Sequence, residues 1–347
     1  MPEMKKKIIY GILLLAIVTG GYAAWQIFGP TVSEPEGKYF YIRTYAGYNE
    51  VKQSLVDRKI IGNIYFFDLL AKQLNYQKRV KSGRYQIKKG TSVFSLLRML
   101  RSGNQSPVKL VINKLRLPED LAQKIAANFE CDSASIIQSL TDPETLRKYD
   151  VDKDNIMTTI IPNSYSIYWN TSPGKILDKL HMEKEKFWTA DRISKAKAKN
   201  LTPNQVYTMA SIVEEETNKE SDKGLIASVY MNRIAKGMKL QADPTVKFAM
   251  KNFELNRILL VHLKYESPFN TYRNTGLPPG PICTPSVKTI NAVLDAPKTG
   301  YIYFVAKPDF NGYSNFAVTY AEHQVFAKAY QRALDSLMRA KANKAAK

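Results

Sequence analysis

The sequence predicts an α+β protein with an N-terminal transmembrane helix, a small α+β subdomain and a larger mixed α+β domain. Three observations lead to this prediction: a long uncharged run at the start, alternating short strand and helix patterns after it, and a capped helix in the second half. The chain has 347 residues, of which 44% are hydrophobic and 24% charged. Such a composition is typical of a globular protein that can bury a sizeable core.

The transmembrane helix is predicted within residues 1–30. Lys5–Lys7 precede Ile8–Phe28, a run of 21 residues without a charge. A helix of that length measures about 31 Å, enough to cross the hydrocarbon core of a bilayer. Basic residues before a span stay in the cytoplasm, and Tyr22 and Trp25 suit the far interface. We therefore expect everything from about Gly29 onward to lie on the periplasmic or extracellular side.

A cleaved signal peptide is the alternative interpretation of this segment. Signal peptides usually have an apolar region of about 7–15 residues, which is shorter than the run here. Gly21–Ala24 is a poor cleavage site, and no cysteine follows it to accept a lipid. The sequence thus favours an uncleaved, single-pass anchor in the inner (plasma) membrane.

The small α+β unit is predicted at residues 39–105, after a short linker around Pro35. Arg84–Ile87 alternates as a strand does, and Thr91 or Ser92 can cap the helix that follows. Gly103 ends that helix. Its apolar positions are Val93, Leu96, Leu97 and Leu100. Two earlier helices are indicated by Val51 and Leu55, and then by Phe66, Phe67, Leu70 and Leu74.

Residues 106–336 are predicted to form one larger domain. Val108–Ile112 has the pattern of a strand, and Pro118 opens a helix that runs to Phe129. Asn163–Pro173 is interpreted as an aromatic loop. The lysine-rich stretch Lys175–Lys199 is interpreted as a helix with a solvated face.

The net charge of +20 requires a counter-charge. Nucleic acid is one option, but the basic residues are spread along the chain and no nucleic-acid motif occurs. Behind a membrane anchor, anionic lipid headgroups and the carboxylates of a cell-wall polymer are nearer partners. A basic tail at 337–347 is interpreted as a solvated end. Its cations are Arg339, Lys341, Lys344 and Lys347.

Cofactors are not expected. Cys131 and Cys283 do not make a disulfide framework, although they could pair in an oxidising compartment. The three histidines, His181, His262 and His323, lie far apart without metal-ligand spacing, so we expect no metal site.

The strongest local pattern predicts a helix over Pro203–Thr217. Thr202 with Gln205 three residues later is a capping box, and proline suits the first helical position. The helix ends in three consecutive glutamates.

The helical wheel separates these glutamates. At 100° per residue the buried stripe is formed by Val206, Ala210, Val213 and Thr217. Glu215 then points toward water, whereas Glu214 and Glu216 lie about 80° to either side of the stripe. Burial at either position would raise the carboxyl pKa and permit proton donation at neutral pH. A solvated acidic helix end is the alternative.

Polar side chains follow on a second helix and on proline-stiffened loops, where binding residues are often found. Asn232, Gln241, Asn270 and Tyr272 are of the types that hydrogen-bond sugar hydroxyls and acetamides. They could equally be amides that stabilise loops.

Several separated motifs in one order make the chain resemble a known family. The motifs Ala210–Thr217, Asn232-Arg233, Leu240–Val246, Asn270–Tyr272 and Gly276–Ile282 are similar to those of the YceG-like endolytic murein transglycosylases, the MltG family. The resemblance covers most of the chain. Within it, Ser82–Gly103 resembles the LysM-like unit that precedes the family's catalytic domain.

The resemblance implies that Glu216 is the catalytic residue, since it is the second glutamate of the family's Glu-x-Glu pair. The expected substrate-binding residues are Glu214, Asn232, Gln241, Asp243, Asn270 and Tyr272. Asp243 is the one other acid that could take part directly. Met157–Tyr165 departs from the family pattern, and His323 matches it only loosely.

A single acid suffices for the implied reaction. Glu216 would cleave the bond between N-acetylmuramic acid and N-acetylglucosamine within a glycan strand and leave a 1,6-anhydro end. Peptidoglycan strands and the membrane are the expected partners, peptidoglycan synthases are further candidates, and termination of nascent strands is the expected role. Two rival hypotheses are a non-catalytic glycan-binding scaffold and a membrane-tethered nucleic-acid receptor.

Overall fold

The computed structural model describes residues 2–345, and it is a mixed α+β structure as predicted. Its contacts divide the chain into two compact units. The first takes in the residues up to Leu110 together with Ala126–Cys131 and Tyr165–Ser172, and the second comprises Val111–Ile125, Asp132–Ser164 and the chain from Pro173 onward. The domain boundaries expected from the sequence, at residues 39–105 and 106–336, stay a prediction.

The N-terminal helix α1 spans Pro2–Phe28. Its segment Glu3–Phe28 is the one helix in the described chain that is long and apolar enough to cross a membrane. Most of its side chains are exposed, as they are in a helix that lipid would surround, whereas Ile27 near its end packs against the core of the first unit.

The first unit pairs a small sheet with three helices. Its elements are β1 (Tyr39–Ile42), α2 (Tyr48–Asp57), α3 (Ile64–Gln73), β2 (Gly83–Gln86), α4 (Val93–Ser102) and β3 (Val108–Val111). Strands β1 and β2 are antiparallel, with Tyr39 opposite Gln86. The predicted strand and three helices are confirmed. Their core contains Phe40, Leu55, Phe67, Tyr76, Tyr85, Leu96 and Leu97.

Local chemistry fixes the ends of α4. Ser92, rather than Thr91, is the N-cap, because its Oγ accepts a hydrogen bond from the Ser95 N–H (3.1 Å). Gly103 ends the helix at a φ of 74°, which favours glycine. The segment predicted as a linker is packed instead, since Val32 is buried and bridges to Ile61.

The second unit is mainly helical. Helix α5 (Pro118–Ala126) and strand β4 (Ser164–Ile167) cross the boundary between the units. The other elements of the second unit are α6 (Ser133–Thr141), α7 (Pro143–Lys148), α8 (Pro173–Phe187), α9 (Ala190–Lys197), α10 (Pro203–Glu216), α11 (Glu220–Ala235), α12 (Asp243–Ala249), α13 (Val287–Leu294), β5 (Tyr303–Ala306), β6 (Ser314–Ala317) and α14 (Tyr320–Ala345). Strands β5 and β6 form an antiparallel hairpin. Most of β4, from Tyr165 to Ile167, belongs to the first unit and pairs with β3 there.

Three expectations for this part of the chain were wrong in detail. The segment expected as an aromatic loop contains β4. The lysine-rich stretch forms two helices, α8 and α9, and Lys184 on α8 is buried rather than solvated. Helix α5, expected to run to Phe129, ends at Ala126.

The C-terminal segment is helical through Ala345. Arg339 of the predicted basic tail is exposed. The side chains of Lys341 and Lys344, and all of Lys347, lie outside the described residues.

The core of the second unit surrounds α10. Every residue from Val206 to Val213 is buried. Helices α11, α12 and α13 pack against α10, and so does the turn Ile156–Thr159. Helix α10, which ends in the three glutamates, is therefore packed among several neighbouring elements.

Candidate active site

The capping box fixes the start of α10, and with it the register of the glutamates at its end. Gln205 donates its backbone N–H to Thr202 Oγ1 (3.2 Å), and Thr202 donates its backbone N–H to Gln205 Oε1 (2.8 Å). The helix continues to Glu216, as the sequence predicts. Because neighbours surround α10, its three terminal carboxyl groups meet three different environments.

Glu216 lies in a largely desolvated position. Tyr230 donates a hydrogen bond from its hydroxyl to Glu216 Oε1 (2.7 Å). Burial raises the pKa of the Glu216 carboxyl to about 7, against the lowering effect of the Tyr230 bond, and the charge of Asp243 adds to the rise. The side chain keeps some solvent access, so a substrate can approach it.

Arg233 lies one turn after Tyr230 on α11 and supports the same site. Its guanidinium is buried and donates from Nε to the Ile302 carbonyl (2.7 Å) and from Nη1 to the Leu240 carbonyl (2.5 Å). These bonds hold a positive charge close to Glu216, where it favours the carboxylate. The same hydrogen bonds hold the segments that carry Leu240 and Ile302 beside the site.

Asp243 and Tyr272 form the other side of the site. Tyr272 donates its hydroxyl to Asp243 Oδ1 (2.6 Å). Burial, and then the contact with Asp243, raise the pKa of Tyr272, so its hydroxyl stays protonated. Asp243 is exposed at the start of α12, and its charge acts on Glu216. The structure thus brings together the sequence-predicted residues Glu216, Asp243 and Tyr272.

This arrangement can transfer protons at neutral pH. A carboxyl group with a pKa near 7 is populated in both protonation states, which suits a group that must give and then regain a proton.

A profile of the YceG-like family matches residues 40–329. The chain belongs to this family. The match includes the described segments that carry Glu216, Asp243 and Tyr272.

Two bacterial relatives in this family carry the name endolytic murein transglycosylase. The protein of Bacillus subtilis is 30% identical over 266 residues, which cover 72% of this chain and 73% of the relative. The protein of Streptococcus pneumoniae is 28% identical over 340 residues, which cover 88% of this chain and 61% of the relative. The chain thus spans less than two thirds of the pneumococcal protein.

A solved YceG-like structure has a similar fold. The crystal structure of a YceG-like protein from Listeria monocytogenes superposes with a TM-score of 0.55 at 26% sequence identity. The superposition covers 83% of this chain and 98% of that chain.

In this YceG-like protein, the helical-wheel prediction for Glu215 was wrong. It was expected to point toward water, but it forms ion pairs with Lys114 (2.9 Å) and Arg116 (3.1 Å). Burial opposes ionisation of Glu215, yet the contacts with both cations outweigh it and lower the carboxyl pKa. The wheel assumed one buried stripe, whereas packing covers α10 on several sides.

Glu214, whose expected role in substrate binding stays a prediction, contacts three other side chains of the protein. Its Oε2 accepts hydrogen bonds from Ser286 Oγ (3.1 Å) and from Thr289 Oγ1. The ammonium of buried Lys223 lies 3.5 Å from the same oxygen. Three partners on one oxygen indicate a carboxylate that anchors α13 to α10.

Asn232 and Asn270 hydrogen-bond to loop carbonyls, as in the alternative considered for them. Asn232 Nδ2 donates to the carbonyls of Thr299 (2.8 Å) and Tyr301 (2.9 Å). Asn270 is buried, and its Nδ2 donates to the carbonyls of Leu263 (3.0 Å) and Tyr265 (2.7 Å). Each uses both amide hydrogens within the protein, and a role for either residue in substrate binding stays a prediction.

Gln241 remains a substrate-binding candidate. It is exposed, and its backbone N–H donates to the Thr271 carbonyl (3.2 Å). Its φ is 52°, an uncommon conformation for a residue other than glycine. Such a conformation is often found beside a functional site.

The remaining sequence candidates lie in structural settings. The segment that departs from the family pattern packs on α10: Ile156–Thr159 is buried, and Tyr207 donates its hydroxyl to the Ile160 carbonyl. His323 stacks on Tyr303 (ring centroids 5.1 Å). Cys131 and Cys283 are both thiols.

Tyr230 and Arg233 had no predicted role, although Arg233 lies in the Asn232-Arg233 motif. The sequence held a signal for Tyr230, because residues three apart on a helix share a face and Tyr230 lies three residues before the motif residue Arg233.

Proposed function

We propose that the chain is an endolytic lytic transglycosylase of peptidoglycan in which Glu216 is the single acid and base. The observation that carries this proposal is the Glu216 carboxyl itself, with a pKa of about 7 and a hydrogen bond from Tyr230. The names of the relatives supply the substrate class, a murein strand.

In the first step, protonated Glu216 donates its proton to the oxygen that links N-acetylmuramic acid to N-acetylglucosamine. The C1–O bond breaks, and the electron pair leaves with the N-acetylglucosamine oxygen. Positive charge develops at C1 of the muramyl residue, where the muramyl acetamide can shield it. Asp243 faces the same space and adds a negative charge that stabilises C1.

In the second step, the muramyl 6-hydroxyl oxygen attacks C1. Its proton passes to the Glu216 carboxylate, which returns to the protonated state. The product is a 1,6-anhydro-muramyl end, and no water is consumed. The enzyme is therefore a lyase acting on polysaccharides (EC 4.2.2.-).

Tyr230 and Arg233 act as positioning residues in this mechanism. The Tyr230 hydroxyl keeps Oε1 occupied, so Oε2 is the oxygen left to face the substrate. Both residues favour the carboxylate, which limits the rise in pKa that burial alone would cause. The carboxyl therefore titrates near neutral pH, as both half-reactions require.

Hydrolysis is the reaction to distinguish from this one. A glycoside hydrolase normally uses two carboxyl groups, and Asp243 is the acid whose charge acts most on Glu216. Digestion of isolated glycan strands by the full chain, followed by mass spectrometry, separates the two. Anhydro-muramyl ends support the lyase, and reducing ends would show that water attacked.

We further propose a setting at the inner (plasma) membrane for this reaction. The candidate span Glu3–Phe28 supports a single-pass anchor, with the rest of the chain on the periplasmic or extracellular side. Residues 39–105 serve as a LysM-like glycan-binding unit. Such a tethered enzyme would cut nascent strands near the synthases that make them and so terminate elongation.

The first unit has no proposed part in the chemistry. Asp68 is held there by Tyr48 (2.6 Å) and Lys52 (3.0 Å), and these contacts lower its carboxyl pKa. A carboxyl group that stays ionised at neutral pH is a poor proton donor.

A further inference from the structure

An exposed aliphatic turn stands out on the second unit. Leu259, Leu260 and Val261 are consecutive, and their side chains are 52%, 81% and 67% exposed. Isolated apolar residues are common on protein surfaces, but three in a row at the tip of a loop leave a contiguous apolar surface in water.

Hydrogen bonds hold this turn in shape. Leu259 donates its backbone N–H to His262 Nδ1 (3.1 Å), and His262 donates its own N–H to the Leu259 carbonyl (2.9 Å). Farther along, Asn270 holds the carbonyls of Leu263 and Tyr265. The turn therefore has a defined conformation, in which Leu260 and Val261 are exposed between hydrogen-bonded ends.

Basic residues flank the aliphatic tip. Arg257 precedes it, and Lys264 follows it; both are exposed. The neighbouring acids are Glu254 and Glu266, of which Glu266 is paired with Arg273 (3.1 Å). Apolar residues between cations are typical of segments that lie in a membrane interface, where long basic side chains reach the headgroups.

We propose that residues 257–264, the interfacial turn, insert into the surface of a lipid bilayer with anionic headgroups. The aliphatic tip enters the acyl boundary, and Arg257 and Lys264 contact the lipid phosphates. The chain carries its own candidate membrane span, so a bilayer is a surface to which it would be tethered.

Two other occupants fit less well. A stable protein interface buries about 800 Å² on each partner, more than three aliphatic side chains can supply. A glycan strand would find no hydrogen-bonding group on Leu259, Leu260 or Val261.

Site-specific fluorescence on the full chain in vesicles tests the proposal. In a Cys131→Ser background, Leu260→Cys is labelled with a polarity-sensitive dye, while Cys283 is buried and stays unlabelled. Val325→Cys on α14 is the matched control, since Val325 is also exposed (66%). The vesicles contain phosphatidylcholine with or without phosphatidylglycerol, plus a nitroxide-labelled lipid.

The dye at residue 260 should emit at shorter wavelength and be quenched by the nitroxide lipid, and the control dye should not. Quenching should be stronger with phosphatidylglycerol and should be lost on Arg257→Glu with Lys264→Glu. A dye at 260 that behaves like the control would overturn the proposal, as would a shift that appears only when a protein partner or glycan strands are added. A second label, at Val261→Cys, must agree with the first. The readout does not depend on activity, so it stands apart from the proposed function.

Discussion

The hydroxyl of Tyr230 donates a 2.7 Å hydrogen bond to Oε1 of Glu216, from the neighbouring helix α11. Burial favours the neutral carboxyl and the tyrosine favours the charged one. The balance between them leaves the Glu216 pKa near 7, and four of the five predictions below depend on this carboxyl or on its neighbours in the sequence.

Glu216→Gln should abolish cleavage while the protein stays folded. Glutamine keeps the volume but cannot donate or accept the transferred proton. General acid–base catalysis is typically worth about 10²–10⁴-fold, and a residue that serves both half-reactions belongs at the upper end. Release of muropeptides from isolated strands measures the loss.

Glu214→Gln is the control for that experiment. It should retain activity per folded molecule, because Glu214 is occupied by Ser286, Thr289 and Lys223. An inactive Glu214→Gln beside an active Glu216→Gln would move the catalytic role by two residues.

Tyr230→Phe should shift the pH profile of kcat/KM. Its hydroxyl stabilises the Glu216 carboxylate, so removal raises the Glu216 pKa further. A hydrogen bond to a charged group is worth about 1.5–3 kcal/mol, which corresponds to a pKa shift of about one to two units. The basic limb of the profile should move to higher pH. An unchanged limb with a uniformly lower rate would indicate a purely structural role for Tyr230.

The free energy of unfolding should decrease as the pH rises from about 4.5 to about 7, because of Glu216. Its pKa rises from 4.5 to about 7 on folding, so in this window the folded state keeps a proton that the unfolded state has released. The contribution is fully present below pH 4.5 and is lost as the pH passes about 7. Its size is on the order of 3 kcal/mol.

Urea unfolding of the wild type and of Glu216→Gln, at pH 4.5 and at pH 8, isolates this effect. The variant should gain stability relative to the wild type at the higher pH. Equal differences at both pH values would mean that the Glu216 pKa is not raised.

Glu215→Gln should destabilise the protein by about 1–2 kcal/mol without abolishing cleavage. The change leaves Lys114 and Arg116 without the counter-charge that they share. Glu185→Gln, at a 63% exposed side chain, is the matched control and should have little effect. Chemical denaturation compares the two, and equal stability of both variants would show that the ion pairs contribute nothing measurable.

Reporter fusions after Lys38 should be active only on the far side of the membrane. The expectation follows from Lys5–Lys7 and from the uncharged run Ile8–Phe28. A fusion after Lys7 should report the cytoplasm. Cytoplasmic activity of the Lys38 fusion would contradict the topology.

The sequence alone determined the features that depend on neighbours along the chain. The apolar length of α1, the capping box of α10 and the caps of α4 are all local, and the structure places them as predicted. Alternation and helical spacing also predicted β2 and the helices α2, α3 and α4 of the first unit, since these periodicities follow from backbone geometry.

Only the tertiary structure decided which polar groups already have hydrogen-bond or ion-pair partners within the protein. Helical spacing treats Glu214, Glu215 and Glu216 alike except for their angle, whereas their partners come from segments distant in the sequence. Asn270 likewise was recognisable as an amide, but not as one that a loop already uses. A pKa depends on desolvation and on charges within a few ångströms, and those distances are set by packing. The pairing of Glu216 with Tyr230 therefore exists only once α11 has folded against α10.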